Sequence, residues 1–559
     1  MTRNPSRVRP AFFLPLVSVF ASAALFAQGG GAAAGVEPAP KAPALFDDLG
    51  KHHRAISSKS ERARRYFDQG LRLVYAFNHD EAKLAFEEAA RADPACAICF
   101  WGVGLTLGPN INLPAIAERA AAADEAVRAA VALAPKASPV ERALIAALRK
   151  RYSSPPASDA GAQKRLDTAY ADAMRGVARR FPRDLDVQAL FAESLMDLRP
   201  WDHWTLDGQP QPGTLEIVRT LERVLAKDPG HPGANHYYIH AVEASKTPGR
   251  AAASAKRLEA MMPGAGHVVH MPSHIYIRTG RYEEASAANR RAIAADTAYA
   301  AKGRPSPIYG MYVAHNHQFL WATAMLQGRA AESLEAARGC VAAAPVEMLR
   351  AMPGFDILLT YPGSTLARFG RWDEALREPA PPEDFPFATA MWHYVRGVAR
   401  TGKGDAEGAR SELRELDRIA QGIPADAMES LNSAHDLLAI ASKVLGGRIA
   451  AAAGDRGGAA KILAEAVAAE DRLHYAEPPD WYYPVRQTLG AVLLADGRAK
   501  DAERVYREDL ERNPKNGWSL IGLAEALKAQ GVSEGEAAAR RDFAAAWERA
   551  DAPLTASDF

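Results

Sequence analysis

The feature that most restricts the fold of this 559-residue chain is an internal period of 34 residues. It is sharpest between residues 231 and 278. There His236 and His240 stand four apart, His270 and His274 stand four apart, and the two pairs are 34 positions apart. A four-residue step puts both members of a pair on one face of a helix. A step of ~34 residues is the length of one helical hairpin in a repeat array. Such a hairpin cannot bury its apolar face alone, so neighbouring units must stack. The same face of two successive hairpins is therefore expected to carry the same HxxxH pair.

The unit can be followed through most of the chain. In RYFDQGLRLVYAFNHDEAKLAFEEAARADP (65–94) small residues fall where two helices would cross, larger ones where they interlock, and a proline closes the unit. Its marker positions are Tyr66, Gly70, Ala82, Phe86, Ala89 and Pro94. Gly397 with Ala409 fits the same frame, as do Gly447, Gly454 and Ala459, then Gly490, Gly497, Ala502 and Pro514, and finally Trp518 and Gly522. Ala runs at 120–123 and 450–453 favour helix, and no strand-period segment competes. About ten hairpins are expected at a period of ~34 residues.

These positions resemble the tetratricopeptide (TPR) repeat superfamily over roughly residues 60 to 545. HYYIHAVEAS, HVVHMPSHIYIRTGRY and EPPDWYYPVR are similar to segments of a group of exported bacterial TPR proteins. The resemblance implies an all-α, TPR-type helical-hairpin solenoid, a right-handed superhelix whose first helices line a concave groove that binds a peptide or protein partner. If units start at Pro232 and Gly266, His236 and His270 take position 5 and His240 and His274 position 9. Glu243 then falls at position 12 and His267 at position 2, both groove-facing by resemblance. Glu193 and Asp197 take positions 9 and 13 of a unit starting at Leu185, and His315 takes position 2 of one starting at Ala314.

Nine of the 15 histidines lie between His203 and His317, and that clustering asks for a cause. Imidazole is the commonest protein ligand for Zn, Cu, Fe and Ni, and carboxylates complete harder sites. The expected transition-metal site (Zn, Cu, Fe or Mn) comprises His236, His240, Glu243, His267, His270 and His274, on one ion or two. His236, His240 and His274 are its expected core; Glu193, Asp197, His203 and His315 are additional groove candidates. Pro272 between His270 and His274 is expected to start a helix, leaving His267 and His270 on the loop before it. HxxxH lacks the glutamate of the HExxH metalloprotease signature, and no GxSxG, P-loop or GxGxxG stands in a suitable context. A metal protein, with or without turnover, and a non-catalytic envelope scaffold with imidazoles as polar groove lining both remain open.

Charge excludes one class of partner. Lys and Arg total 68 against 67 Asp and Glu, so nothing draws the chain to nucleic acid. Residues 1–27 read as a signal peptide: Arg3, Arg7 and Arg9 precede an uncharged run from Ala11 to Phe26. That run is short for a membrane span, so export to the periplasm or beyond, with no span after cleavage, is expected. Residues 28–58 form a linker, followed by repeats at 59–200, a histidine-rich centre at 201–345 and further repeats at 346–559. Three inserts interrupt the repeats at 108–114, 200–213 and 302–310, and loops of this kind carry function more often than the elements they join. Cys96 and Cys99 form CxxC, a disulfide, redox pair or ligand pair, while Cys340 sits in a small-residue row suited to a core. HYAEPPDWYYPVR (474–486) reads as a hairpin junction packing Trp481 and Tyr482, or as a groove wall with His474 and Glu477 turned toward a ligand.

Overall fold

The computed structural model describes residues 42–303 and 305–558. The expected signal peptide and the first part of the expected linker lie outside the described residues. The fold is the all-α, TPR-type helical-hairpin solenoid expected from the sequence. Twelve helical hairpins follow one another, from Glu61–Val74 with His79–Ala92 to Gly517–Ala529 with Ser533–Ala546. The only strands among the described residues are the two-residue pair Met428–Glu429 and Asn432–Ser433. No helix among them is long and apolar enough to cross a membrane.

The helices begin and end for local reasons. The side chains of Ser60, Asn78, Asp405 and Asp455 each accept a backbone N–H of the first turn that follows, and Ser138 with Glu141 forms a reciprocal capping box. Within many hairpins a glycine in the left-handed region turns the chain just before the second helix, as Gly454 does at φ +89° ahead of the Asp455 cap. The first hairpin breaks this rule. Phe77 takes the glycine's place ahead of the Asn78 cap and holds φ at +55°. A side chain there costs roughly 1–2 kcal/mol.

The apolar interior forms two bodies, one spanning residues 49 to 285 and one spanning 314 to 554. Ile277, Tyr282 and Phe319 make a third, small cluster between them. That seam is the sixth hairpin, Gly266–His270 and Pro272–Arg278 packed on Tyr282–Lys302. In a plain repeat array each unit touches only its neighbours. Here both ends of the chain return to the sixth hairpin. Tyr299 donates to the Glu81 carboxylate of the first hairpin at 2.8 Å, and Lys302 pairs with Asp48 at 3.0 Å. From the other end, Pro514 O accepts from Tyr282 at 2.8 Å, and Arg549 pairs with Glu283 at 2.9 Å. The groove is thereby closed over the centre of the chain.

Pro272 does not confine His267 and His270 to a loop. Met271 is itself helical (φ −49°, ψ −36°) and its N–H reaches His267 O at 3.2 Å, so the backbone turns continuously through the proline. All three histidines of this stretch are helical.

Candidate metal centre

Three helices bring six imidazoles together. Pro232–Val242 carries His236 and His240; the stretch 266–278 carries His267, His270 and His274 at steps of three and four; Pro307–Leu326 adds His315. Gly266 and Asp296 set the approach of the last two. A Cβ on Gly266 would lie 1.8 Å from Asp296 Oδ1, and Asp296 also accepts from Tyr309 (2.7 Å) and Asn316 (2.6 Å) on the His315 helix.

The six divide into two groups of three. One ring nitrogen from each of His236, His240 and His267 lies within 4.8 Å of the other two, and the same holds for His270, His274 and His315. His236 Nε2 and His267 Nε2 are 3.1 Å apart, and His270 Nε2 and His274 Nε2 are 2.8 Å apart. Two nitrogens bound to one tetrahedral ion are about 3.3 Å apart, so these separations are of ligand size. His274, expected in one core with His236 and His240, belongs instead to the second group. The reason is its helix: a step of four from His270 sets those two rings edge-on with centroids 4.7 Å apart, while the His240 ring centroid is 5.4 Å away.

Four of the six Nδ1 atoms are hydrogen-bonded from behind, and a fifth lies against a carboxylate. His236 Nδ1 meets Tyr75 O at 2.6 Å, His270 Nδ1 meets Asn289 Oδ1 at 2.7 Å, and His315 Nδ1 meets Gln318 Oε1 at 2.9 Å. Glu243 serves both groups, with Oε1 on His240 Nδ1 at 2.7 Å and Oε2 against His274 Nδ1. Expected among the ligands, Glu243 therefore has both oxygens committed to imidazoles and stands behind them. Anchoring Nδ1 to an acceptor fixes the tautomer that leaves Nε2 as the lone-pair donor. His240 Nε2 is buried with no hydrogen-bond partner, as a ligand nitrogen would be.

Burial sets the protonation. His236, His267 and His270 are driven well below the usual imidazole pKa by burial and then by the neighbouring rings, and His315 is pushed down to about 3. Burial alone would raise Glu243, but His274 and His240 outweigh it and hold the carboxylate ionised. His236, His267, His270 and His315 are thus neutral nitrogen donors, with a single anion behind the two groups.

Five of the histidines are at most 4% exposed, so they lie in the buried interior rather than on the open groove the sequence suggested. Closure of the chain ends explains this, together with two phenyl rings. Phe77 packs on the first group (His236, 4.5 Å; His267, 5.6 Å), and Phe319 packs on the second (His270 and His274, both 4.6 Å). Trp201, also at positive φ (+58°), meets His240 edge-on at 5.4 Å. Two of the four non-glycine residues in the left-handed region thus aim aromatic rings at the histidines, and such strain gathers at functional sites. A cavity of about 10 Å³, roughly one water, is lined in part by Asp48, Lys302 and His267.

Other sequence candidates fall elsewhere. Asp197 pairs with Arg151, and Glu193 lies buried beside them, so both belong to a buried ion network instead of the histidine cluster. Arg151 lies far upstream in sequence, and no periodic signal announces that pairing. His203 is buried near His240, its pKa lowered to about 4 by burial and then by His240, and its insert also sends Trp204 Nε1 to Ala241 O at 2.8 Å. The 200–213 insert therefore braces the site. Cys96 and Cys99 are joined in a disulfide and are not at the site; Cys340 is buried. The 474–486 segment is the hairpin junction expected of it. Trp481 packs on Tyr394 at 5.5 Å, while Glu477 accepts from Tyr475, over which the Arg278 guanidinium sits at 5.2 Å. Burial raises Glu477 to about 7. The backbone of His474 is pinned by Asn432 at 2.7 Å.

Sequence reasoning missed Phe77, Phe319, Asn289 and Gln318. Phe77 had a signal, a phenylalanine where the later repeats place glycine. It also missed His52, Asp186 and His231, whose polar atoms cluster. Asp186 there already accepts from His52 and Arg54 at 2.8 Å and Tyr75 at 2.6 Å, a saturated carboxylate that serves as a brace.

No protein-family model matches this chain, and no curated protein does. Among solved structures it is similar to the APC/C hetero-tetramer Cut9–Hcn1 (13% identity, 83% of this chain and 76% of that one, TM-score 0.31). It is also similar to yeast Tom70 (12%, 85% and 97%, 0.33) and to a human IFIT1 dimer with m7Gppp-AAAA (11%, 88% and 90%, 0.33). Likeness at this level carries nothing about chemistry or partners.

Proposed function

We propose that this chain is an exported transition-metal protein in which His236, His240, His267, His270, His274 and His315 are the ligands and Glu243 stands behind them. One observation carries the reading: His236, His240, His270 and His315 have Nδ1 hydrogen-bonded to a carbonyl, carboxylate or amide oxygen, and His274 Nδ1 lies in ion-pair contact with Glu243. That arrangement is the usual backing of metal-bound histidine. A polar lining for a peptide has no need of such tautomer control. Three imidazoles per ion leave a coordination position open, as catalytic sites do and structural sites do not. Export is supported by the N-terminal Arg-flanked apolar run and by the Cys96–Cys99 disulfide, which suits an oxidising compartment. Metal analysis of the purified mature protein after gel filtration tests the reading. At least one equivalent of Cu, Zn, Fe or Mn is expected, and about one ion per chain fewer in His240→Ala at unchanged helix content; no retained metal in either protein would overturn it.

The second reading is a scaffold for a peptide or protein partner. It is favoured by the helical-repeat architecture alone. With the histidines buried, a partner would have to dock on the outer surface, and His240→Ala would then leave partner capture unchanged.

A further inference from the structure

The six histidines are too far spread for one ion and too evenly divided for an accidental cluster. We infer that the two groups hold a pair of copper ions, and that this pair binds dioxygen between them. The inference rests on the metal reading above and goes further in nuclearity, metal and ligand.

Four observations carry it. First, each group is a complete set of three imidazoles, and the groups are adjacent: His240 and His274 approach to 5.4 Å, and His267 and His270 to 5.8 Å. Two ions held this way would lie side by side, as in two-metal sites with ions ~3.5–4 Å apart. Second, Glu243 joins the groups from behind by touching one histidine of each with separate oxygens. It sets both rings without bridging the ions. Third, the ligands are imidazole alone. Imidazole without carboxylate or thiolate suits zinc, copper, iron or nickel, while manganese favours carboxylate, carbonyl and water oxygens; of these, copper is the one that can be held singly charged. Fourth, Phe77 covers one group and Phe319 the other, an apolar shell that excludes water and favours the singly charged cuprous state.

The chemistry balances without a further reactant. Each of two Cu(I) ions gives one electron to O2. The O=O double bond becomes the single bond of a peroxide that bridges two Cu(II) ions, and no proton is taken up. Reversal returns O2 and two Cu(I).

The test uses the full mature chain, stripped of metal and loaded with Cu(I) under anaerobic conditions. Two coppers per chain are expected. On admitting oxygen, a peroxide-to-copper charge-transfer band should develop while the sample stays silent in electron paramagnetic resonance, because the two Cu(II) spins couple. One copper per chain with an ordinary Cu(II) resonance would overturn the pair while leaving the metal site intact. Two coppers with no oxygen-dependent band would overturn the dioxygen step. No bound copper, with another metal retained, would overturn the copper assignment; no metal of any kind would sink the underlying reading as well. His315→Ala removes the most accessible ligand and should leave one tightly held copper, an uncoupled resonance and no band. If that variant fails to fold, His315→Gln serves the same comparison, with helix content as the control.

Discussion

The tenth hairpin, Ala434–Ala452 with Arg456–Glu470, and the sixth, residues 266–302, follow one plan and bury opposite things. In the tenth, the first helix turns Leu437, Leu438, Ala441, Val444 and Leu445 inward, and its ion pair Lys443–Glu465 stays outside. In the sixth, the corresponding helix buries His267, His270 and His274, and the second helix adds Asn289. Burying a polar group costs free energy unless it is partnered. The tenth hairpin needs only its neighbours. The sixth also receives Tyr299–Glu81 from one end of the chain and Tyr282–Pro514 from the other. An interior of imidazoles is retained where the closed scaffold supplies an acceptor for nearly every Nδ1. That difference locates function in one hairpin of an otherwise structural array.

The sharpest way to break the contrast is to remove one histidine from each region. His240→Ala should lower metal retention by about one ion per chain, whereas His435→Ala on the tenth hairpin should leave metal content unchanged and stability within about 0.5 kcal/mol. Equal metal loss in both, measured on folded protein, would erase the distinction. Next in size is Glu243→Gln, which keeps the shape but removes the anion behind both groups. Metal affinity should fall about 10–100-fold, read by competition with a chelator. The tenth hairpin should respond in the other currency. Leu445→Ala, against which Gly397 packs closely, should cost about 2–5 kcal/mol in denaturant unfolding and leave metal per folded chain unaltered.

Acid should separate the two regions more gently. His79 and His203 are depressed to about 4 and His315 to about 3, all chiefly by burial. Their neutral forms are favoured in the native state, so the unfolded chain binds more protons below about pH 6.5. Stability of the metal-free protein should therefore be full above that pH and fall as pH drops toward about 4. The slope is about 1.4 kcal/mol per pH unit for each group. Urea midpoints at pH 7.5 and 5 measure it, and a flat profile would contradict neutral buried imidazoles. The smallest effect expected is Phe77→Gly, which relieves roughly 1–2 kcal/mol of backbone strain while uncovering His236. Stability and metal affinity should move in opposite directions there.

The hairpins were legible because their signals are local: cap residues, turn glycines and small residues at crossings recur at each unit. The HxxxH pairs were legible for the same reason, since a step of four fixes a helix face. What could not be read depends on contacts across the chain. Return of both ends to the sixth hairpin leaves no mark in any single repeat, so the histidines looked like groove lining. His315 comes from a separate hairpin, and the division into two groups follows from ring orientations set by Asn289, Gln318 and Glu243. Glu193 and Asp197 kept the expected helical register, yet Arg151 claimed them.

X-ray absorption at the metal edge tests the central claim most directly. On the metal-loaded full chain, the account predicts about three nitrogen scatterers per ion at roughly 2.0–2.1 Å, with the outer-shell pattern of imidazole and no sulfur. A first shell dominated by oxygen or sulfur, or a metal content per chain unchanged in His240→Ala, would contradict it.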